Sequence, residues 1–178
     1  MLNVLPTKRG SGYEFESKIH GGEVPMEYVP AVDRGIQEAA TAGPMAGYPL
    51  VDFRAELIDG SFHAVDSSEL AFKMAASKAM RDGVAKADPV LLEPIVDVEV
   101  TVPDQFMGDV IGDLNSKRGR ILGMQPNGKM QVVSAQVPLS EMRRYSIDLR
   151  SITGGRGVFT MEFSHYEEVP EHIASKII

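Results

Sequence analysis

The segment Asp59-Gly60-Ser61-Phe62-His63-Ala64-Val65-Asp66-Ser67-Ser68-Glu69 concentrates the side chains with chemistry to offer. Asp-Gly is a turn signal, an aromatic and a histidine follow it, and a helix start comes within a few residues. A histidine so placed is open to three readings. The first is a solvated imidazole on a surface turn. The second is a contact to RNA, in which His63 and Phe62 stack on bases and Ser61 bonds phosphate or a 2′-hydroxyl. The third is enzymatic and needs an activating partner; Asp66 follows His63 too closely to be its orienting carboxylate, and no catalytic set is legible elsewhere. A second candidate is Pro6-Thr7-Lys8-Arg9-Gly10-Ser11-Gly12. Lys8 and Arg9 supply charge, and Gly10 and Gly12 permit close backbone approach to a phosphate. The run lacks G-x-x-x-x-G-K-[ST], so it is not a nucleotide P-loop, and a solvated hairpin turn is the competing reading. Further basic groupings are Lys117-Arg118 and Arg143-Arg144. Gly154-Gly155-Arg156-Gly157 reads as a helix stop before a strand rather than a phosphate cradle. Asp109, Asp113 and Glu141, and the scattered His20, His165 and His172, have no metal-ligand spacing.

These residues need elements to position them. Met1–Leu5 is a short apolar run, and Tyr13–Ile19 alternates with period two; with the turn between them they predict a β-hairpin. Gly21-Gly22 and Pro25 mark a loop. Pro30 suits the first turn of a helix carrying Val32, Ile36, Ala39 and Ala40 on one face, ended by Gly43-Pro44. Leu50–Ile58 alternates as a strand. Ser67 or Ser68 caps a helix that runs to about Lys86, its apolar face drawn through Leu70, Met74, Ser77 and Met80 and widened by Phe72, Ala75 and Ala76.

Pro89–Pro94 is the expected domain boundary, giving domains at 1–93 and 94–178. Beyond it the reading is a strand over Ile95–Val102 and a helix from Pro103 to near Gly119. A hairpin over Arg120–Gln125 and Lys129–Val137 follows, turning at Asn127-Gly128. Pro138 opens a helix through Met142, Tyr145, Ile147 and Leu149. Gly157–Tyr166 is the last strand, and Pro170–Ile178 a short helix. The order β-α-β-β-α-β is the ferredoxin-like split motif. The fold class is therefore α+β in two domains.

Composition narrows the function classes. Hydrophobic residues make up 43% of 178, enough for a packed core. Cysteine is absent, which excludes disulfides and thiolate metal sites and fits a reducing compartment. No apolar run approaches the ~20 residues of a membrane span, and no signal peptide is visible, so a cytoplasmic location with no membrane partner is expected. The net charge of −7 argues against a general DNA or RNA coat. Any RNA contact has to be local.

Several long stretches carry a resemblance: Gly21 through Val32, Ala42 through Pro49, Asp59 through Phe72, Pro89 through Ile95, Gly108 through Leu114, Val137 through Met142, and Leu149-Arg150-Ser151. Together they resemble the C-terminal part of translation elongation factor G, the translocation GTPase, over nearly the whole chain. The resemblance implies that residues 1–93 are most of the fourth domain, a ribosomal-protein-S5-like α/β unit whose beginning would precede Met1. Residues 94–178 would be the ferredoxin-like fifth domain. It implies two RNA-contacting tip loops, one of Asp59, Gly60, Ser61, Phe62 and His63, the other of Lys8, Arg9, Gly10, Ser11 and Gly12. His63 would meet the codon–anticodon duplex of mRNA and tRNA in the small-subunit decoding region. Lys117, Arg118, Arg143 and Arg144 would be available to large-subunit ribosomal RNA near the GTPase centre. No cofactor or metal is implied for this portion, which would be monomeric and would not itself be an enzyme; GTP and Mg²⁺ belong to the GTPase domain of the parent. Phe62 stands where the family usually has Tyr, and Arg143-Arg144 replaces an apolar-glycine pair. A paralogue acting in ribosome recycling is therefore an alternative. Fold analogy alone adds another, a small-molecule-sensing regulatory module.

Overall fold

A computed structural model describes residues 1–20 and 23–178. The expected loop at Gly21-Gly22 falls outside the described residues. The chain divides into two compact units, Met1–Leu91 with Pro170–Ile178, and Leu92–Val169. The sequence places residues 94–178 in one domain; the structure groups the terminal segment with the first unit, and Ala174 within it is buried.

In the first unit, β1 (Leu2–Pro6) and β2 (Tyr13–Ser17) both pair with β3 (Phe53–Leu57), antiparallel and parallel respectively. The sheet order is β1-β3-β2, so the predicted β1–β2 hairpin does not form. The reason lies in β3. Phe53, Ala55 and Leu57 face the core and Glu56 on the other face is also buried, so this strand takes the central place and its neighbours the edges. α1 (Val29–Ala40) makes the crossover between the parallel pair, with Pro30 in its first turn as expected. α2 (Glu69–Ala85) begins at Ser68, whose hydroxyl accepts from the Ala71 amide. The two helices cross closely: a Cβ on Gly35 would lie 2.3 Å from the Lys73 carbonyl oxygen.

The core face of α2 differs from the expectation. Ala76, Met80 and Val84 are buried with Phe72 beside them, whereas Leu70 and Met74 are 63% and 64% exposed. Both sets share helical spacing. Only the position of the sheet selects between them.

On the far face of the sheet, Glu56 accepts from Lys18 Nζ at 2.6 Å and Asn3 Nδ2 at 3.0 Å, which satisfies the buried carboxylate. These two bonds hold it below the ordinary carboxylate range.

The second unit follows the expected order: β4 (Leu92–Pro103), α3 (Met107–Ser116), β5 (Arg120–Asn127), β6 (Met130–Pro138), α4 (Tyr145–Thr153) and β7 (Val158–Glu168). The antiparallel sheet runs β5-β6-β4-β7, the ferredoxin-like order. Val96, Val98, Val100 and Val102 alternate inward beneath Val110, Leu114, Tyr145 and Leu149 of the helices. Pro138 opens only a short 3-10 turn (Leu139–Met142), and α4 starts afresh at Tyr145. Gly154, at φ +59°, ends α4 in the left-handed conformation, the helix-stop role expected of it. α5 (Glu171–Ala174) is the short terminal helix.

Candidate functional site

The loop that carries His63 leaves the C-terminal end of β3 and enters α2. Its shape is set by three local devices. The Asp59 side chain accepts from the adjacent Gly60 amide at 2.7 Å, although the turn itself falls later, at residues 64–66. Gly60 lies against Val24, whose Cγ2 would be 2.4 Å from any Cβ at that position, so only glycine lets the loop come this close. The His63 peptide is then gripped from both sides by one residue: its amide donates to Ser67 Oγ at 2.9 Å, and its carbonyl accepts from the Ser67 amide at 2.9 Å. The Asp66 amide adds a third bond to that carbonyl at 3.2 Å.

The main chain at His63 is thus fixed while residues 61–66 are exposed. The imidazole makes no hydrogen bond to a carboxylate among the described residues. Asp66 takes part in holding the loop through its backbone amide. What the loop offers is an exposed imidazole on a held main chain, with Ser61 and Phe62 beside it. Such an arrangement suits contact with a large partner.

Residues 7–12 form the other candidate loop. Ser11 closes its turn on the Lys8 carbonyl, and Gly10 and Gly12 both take positive φ. The Gly12 amide donates to Asp52 Oδ1 at 2.9 Å. Burial disfavours the charged Asp52 carboxyl, but the Gly10 and Gly12 amides and the Arg9 charge outweigh it and hold the group below its ordinary range. The amides that would have faced a phosphate are turned to the protein's own carboxylate. Asp52 itself adopts φ +57° to reach them.

The pairing register also separates the two loops. Pro6 and Tyr13, which flank residues 7–12, both pair with Phe53 at the start of β3, whereas residues 58–63 follow Leu57 at its end. A five-residue strand spans roughly 17 Å. The expectation that Lys8–Gly12 and Asp59–His63 are two loops of one tip is therefore corrected: they lie at opposite ends of the sheet.

In the second unit, Lys117 and Arg118 are occupied internally. Lys117 Nζ lies 2.9 Å from Asp113 and 3.0 Å from Asp148, with only 15% of its side chain exposed. Arg118, at φ +59°, grips Glu93 with two nitrogens at 2.6 and 2.9 Å and also reaches Glu141 at 3.1 Å. These two cations, expected as ribosomal RNA contacts, tie elements of the unit together. Adjacent charges in sequence carry no sign of which will find carboxylates in the fold. Arg143 and Arg144, between the 3-10 turn and α4, are exposed. Among the described residues no group of three or more His, Asp or Glu could hold a metal ion, and no helix is long and apolar enough to cross a membrane.

Sequence reasoning missed Tyr28 and Val24. Val24 is buried under Gly60. Tyr28 stacks between Phe62 and Phe72, with ring centroids 5.8 and 4.8 Å away. The only available signal was the recurrence of aromatics at three distant points.

The chain thus has two α+β units, one ferredoxin-like and one carrying an exposed loop between β3 and α2. Family models agree over both halves: "Elongation factor G, domain IV" matches residues 1–88, and "Elongation factor G C-terminus" matches residues 90–177. Elongation factor G of Aquifex pyrophilus is 56% identical over all 178 residues, which cover 26% of that protein. A crystal structure of a protein from Thermus thermophilus superposes with a TM-score of 0.88 at 49% identity, over 99% of this chain and 26% of that one. The chain belongs to the elongation factor G family. It spans about a quarter of the length of the relatives it matches.

Proposed function

We propose that this chain is the ribosome-engaging C-terminal portion of a translational GTPase that drives movement of tRNA and mRNA through the ribosome. Family membership over both units supports this, and one structural observation carries it: His63 is exposed on a loop whose main chain is fixed at both sides. A fixed loop on a rigid strand–helix unit can transmit position, and an exposed imidazole with Ser61 and Phe62 can meet the backbone and bases of a paired codon and anticodon. No bond is made or broken at such a contact. The first unit works as a wedge that holds the tRNA–mRNA pair against back-slippage. GTP and Mg²⁺ bind elsewhere in the parent protein and drive the cycle.

Contacts in this reading are Asp59, Gly60, Ser61, Phe62 and His63 on the first unit, and Arg143 and Arg144 toward large-subunit ribosomal RNA on the second. Lys8–Gly12, at the other end of the sheet, belongs to a separate surface.

The test is His63→Ala in the full-length protein. Translocation should slow by about ten-fold or more, while ribosome-stimulated GTP hydrolysis stays within about two-fold of the parent, given the weight of a single stacked or hydrogen-bonded RNA contact. Unchanged movement, or equal loss of both activities, refutes the assignment.

A further inference from the structure

The first unit has a cavity of about 250 Å³ between the C-terminal halves of α1 and α2 and the loop 41–50. Ala39 of α1, Ala42 and Gly43 of the loop, and Leu50, Met80 and Val84 wall it. Arg81 is the one charged side chain among the described residues that line it. The loop is held in an arch over this space. The Gly43 amide donates to the Tyr48 carbonyl and the Leu50 amide to the Ala40 carbonyl, both at 2.8 Å. A Cβ on Gly43 would lie 2.6 Å from the Tyr48 oxygen, and Ala46 and Gly47 turn the chain at φ +51° and +73°. The side chains of Ala42 and Gly43 are too short to fill what the arch encloses. Residues 41–50 lead toward the start of β3 at Phe53, whereas residues 58–63 follow its end at Leu57, so the cavity and the His63 loop belong to opposite ends of the unit.

The charge at the rim decides what fits. Two helices end beside the cavity, and open carbonyls at a helix C-terminus favour a cation. Here those nearest the ends are occupied. The Glu38 carbonyl accepts from the Thr41 amide and hydroxyl, and the Ala40 carbonyl from the Leu50 amide. The Gly83 and Val84 carbonyls accept from the Lys86 and Ala87 amides. What remains is the exposed guanidinium of Arg81, which has no hydrogen bond or ion pair among the described residues. The carboxylate of Glu38 is taken by Lys73 Nζ at 2.7 Å, which chiefly holds it below its ordinary range, and Arg81 acts on it only at longer reach. Size sets the other limit. An apolar cavity of ~150 Å³ holds one benzene, so this one suits an apolar body of about eight to ten carbons.

We propose that this cavity binds a free medium-chain monocarboxylate, its aliphatic body lying among Leu50, Met80 and Val84 and its carboxylate pairing with Arg81 at the rim. Burial of the chain supplies the affinity, since the walls offer it no polar partner. The guanidinium fork supplies the choice of an acid over an alcohol or an amine of the same length. The site is separate from the His63 loop and does not rest on that loop's ribosomal role.

The experiment titrates octanoate, octan-1-ol and octylamine separately into the ¹⁵N-labelled 178-residue chain and follows backbone amide shifts. Octanoate should give saturable shifts confined to Ala39, Ala42, Gly43, Leu50 and Val84. Octan-1-ol should bind about ten-fold more weakly, the weight of one charge-assisted bond at an exposed rim, and octylamine should not saturate. Arg81→Gln should weaken octanoate about ten-fold, to the level of octan-1-ol, and leave octan-1-ol unchanged; Arg81→Lys should fall between. Ala42→Leu should fill the mouth and remove saturable binding of both. Arg81 and Ala42 are exposed, so these variants keep the fold, which unshifted amides elsewhere verify. Octanoate shifts that do not saturate, or that spread over both units, overturn the proposal. So does equal binding of the acid and the alcohol, tighter binding of the amine, or parent-like octanoate binding by Arg81→Gln or Ala42→Leu. Cavity amides that move on dilution of the ligand-free protein would put a second copy of the chain there instead.

Discussion

Gly60 gives the sharpest physical test of how the His63 loop is held. A methyl group at this position would sit 2.4 Å from Val24 Cγ2, well inside van der Waals contact, and Val24 is only 2% exposed. Neither partner can step aside cheaply: Val24 is enclosed, and the Gly60 amide is bonded to the Asp59 side chain. Overpacking of this kind costs about 1–3 kcal/mol. Gly60→Ala should therefore lower the melting temperature of the first unit by about 4–8 °C for each kcal/mol lost, as expected for a unit of that size. Val24→Ala alone removes two buried methyl groups and should cost about 2 kcal/mol through transfer and cavity terms. Combined, the two changes should not add, because shortening Val24 makes room for the new methyl. The double variant should be about as stable as Val24→Ala, giving a coupling of about 1–3 kcal/mol of opposite sign to the single losses. Urea unfolding of the four proteins followed by far-UV circular dichroism measures this, provided the m-value is unchanged. Gly60→Ala unfolding at the parent's midpoint, or single effects adding to within about 0.5 kcal/mol, would show that the close approach does not shape the loop.

Two other perturbations test other parts of the structure. Arg118→Lys keeps the charge but loses the two-nitrogen grip on Glu93 and the third bond to Glu141. It should destabilise the second unit by about 1–2 kcal/mol, with unfolding of that unit as the readout, and a neutral outcome would place Arg118 on the surface instead. Asp52 gives a pH dependence. Its carboxyl is held below its ordinary range in the folded protein, so its contribution is present above the unfolded value of about 3.9 and is lost as pH falls through the lower folded value. The Gly12 amide should therefore exchange faster with solvent at acid pH once the intrinsic rate is corrected for, and Asp52→Asn should remove that dependence.

Local chemistry was legible wherever one residue type decides one conformation. Ser68 caps α2 by its hydroxyl, Pro30 sits in the first turn of α1, and Gly154 closes α4 with positive φ; the turn joining β5 to β6 falls at Gly128-Lys129, one residue on from the expected Asn127-Gly128, with Asn127 paired to Met130. Period two in residues 95–102 marked the inward valines of β4, and the order of elements gave the ferredoxin-like unit before any coordinates. The exposed placement of His63 also followed from turn and cap signals on either side of it.

What escaped the sequence were choices between equal local options. Leu70/Met74 and Ala76/Met80 both have helical spacing, and the sheet buries only the second pair. Two alternating strands joined by a short turn ordinarily pair, yet β3 enters between them, with Glu56 bonded to Asn3 on one side and Lys18 on the other. Lys117 and Arg118 read as free charge until the fold brings Asp113, Asp148, Glu93 and Glu141 to them. Chain order placed two glycine-bearing loops either side of β3, but only the register shows that they leave from opposite ends. Propensity acts over a few residues through backbone sterics and local hydrogen bonds, so one chain suffices to read it. Partner choice is a competition among distant groups for the same buried space, and only the folded arrangement settles it.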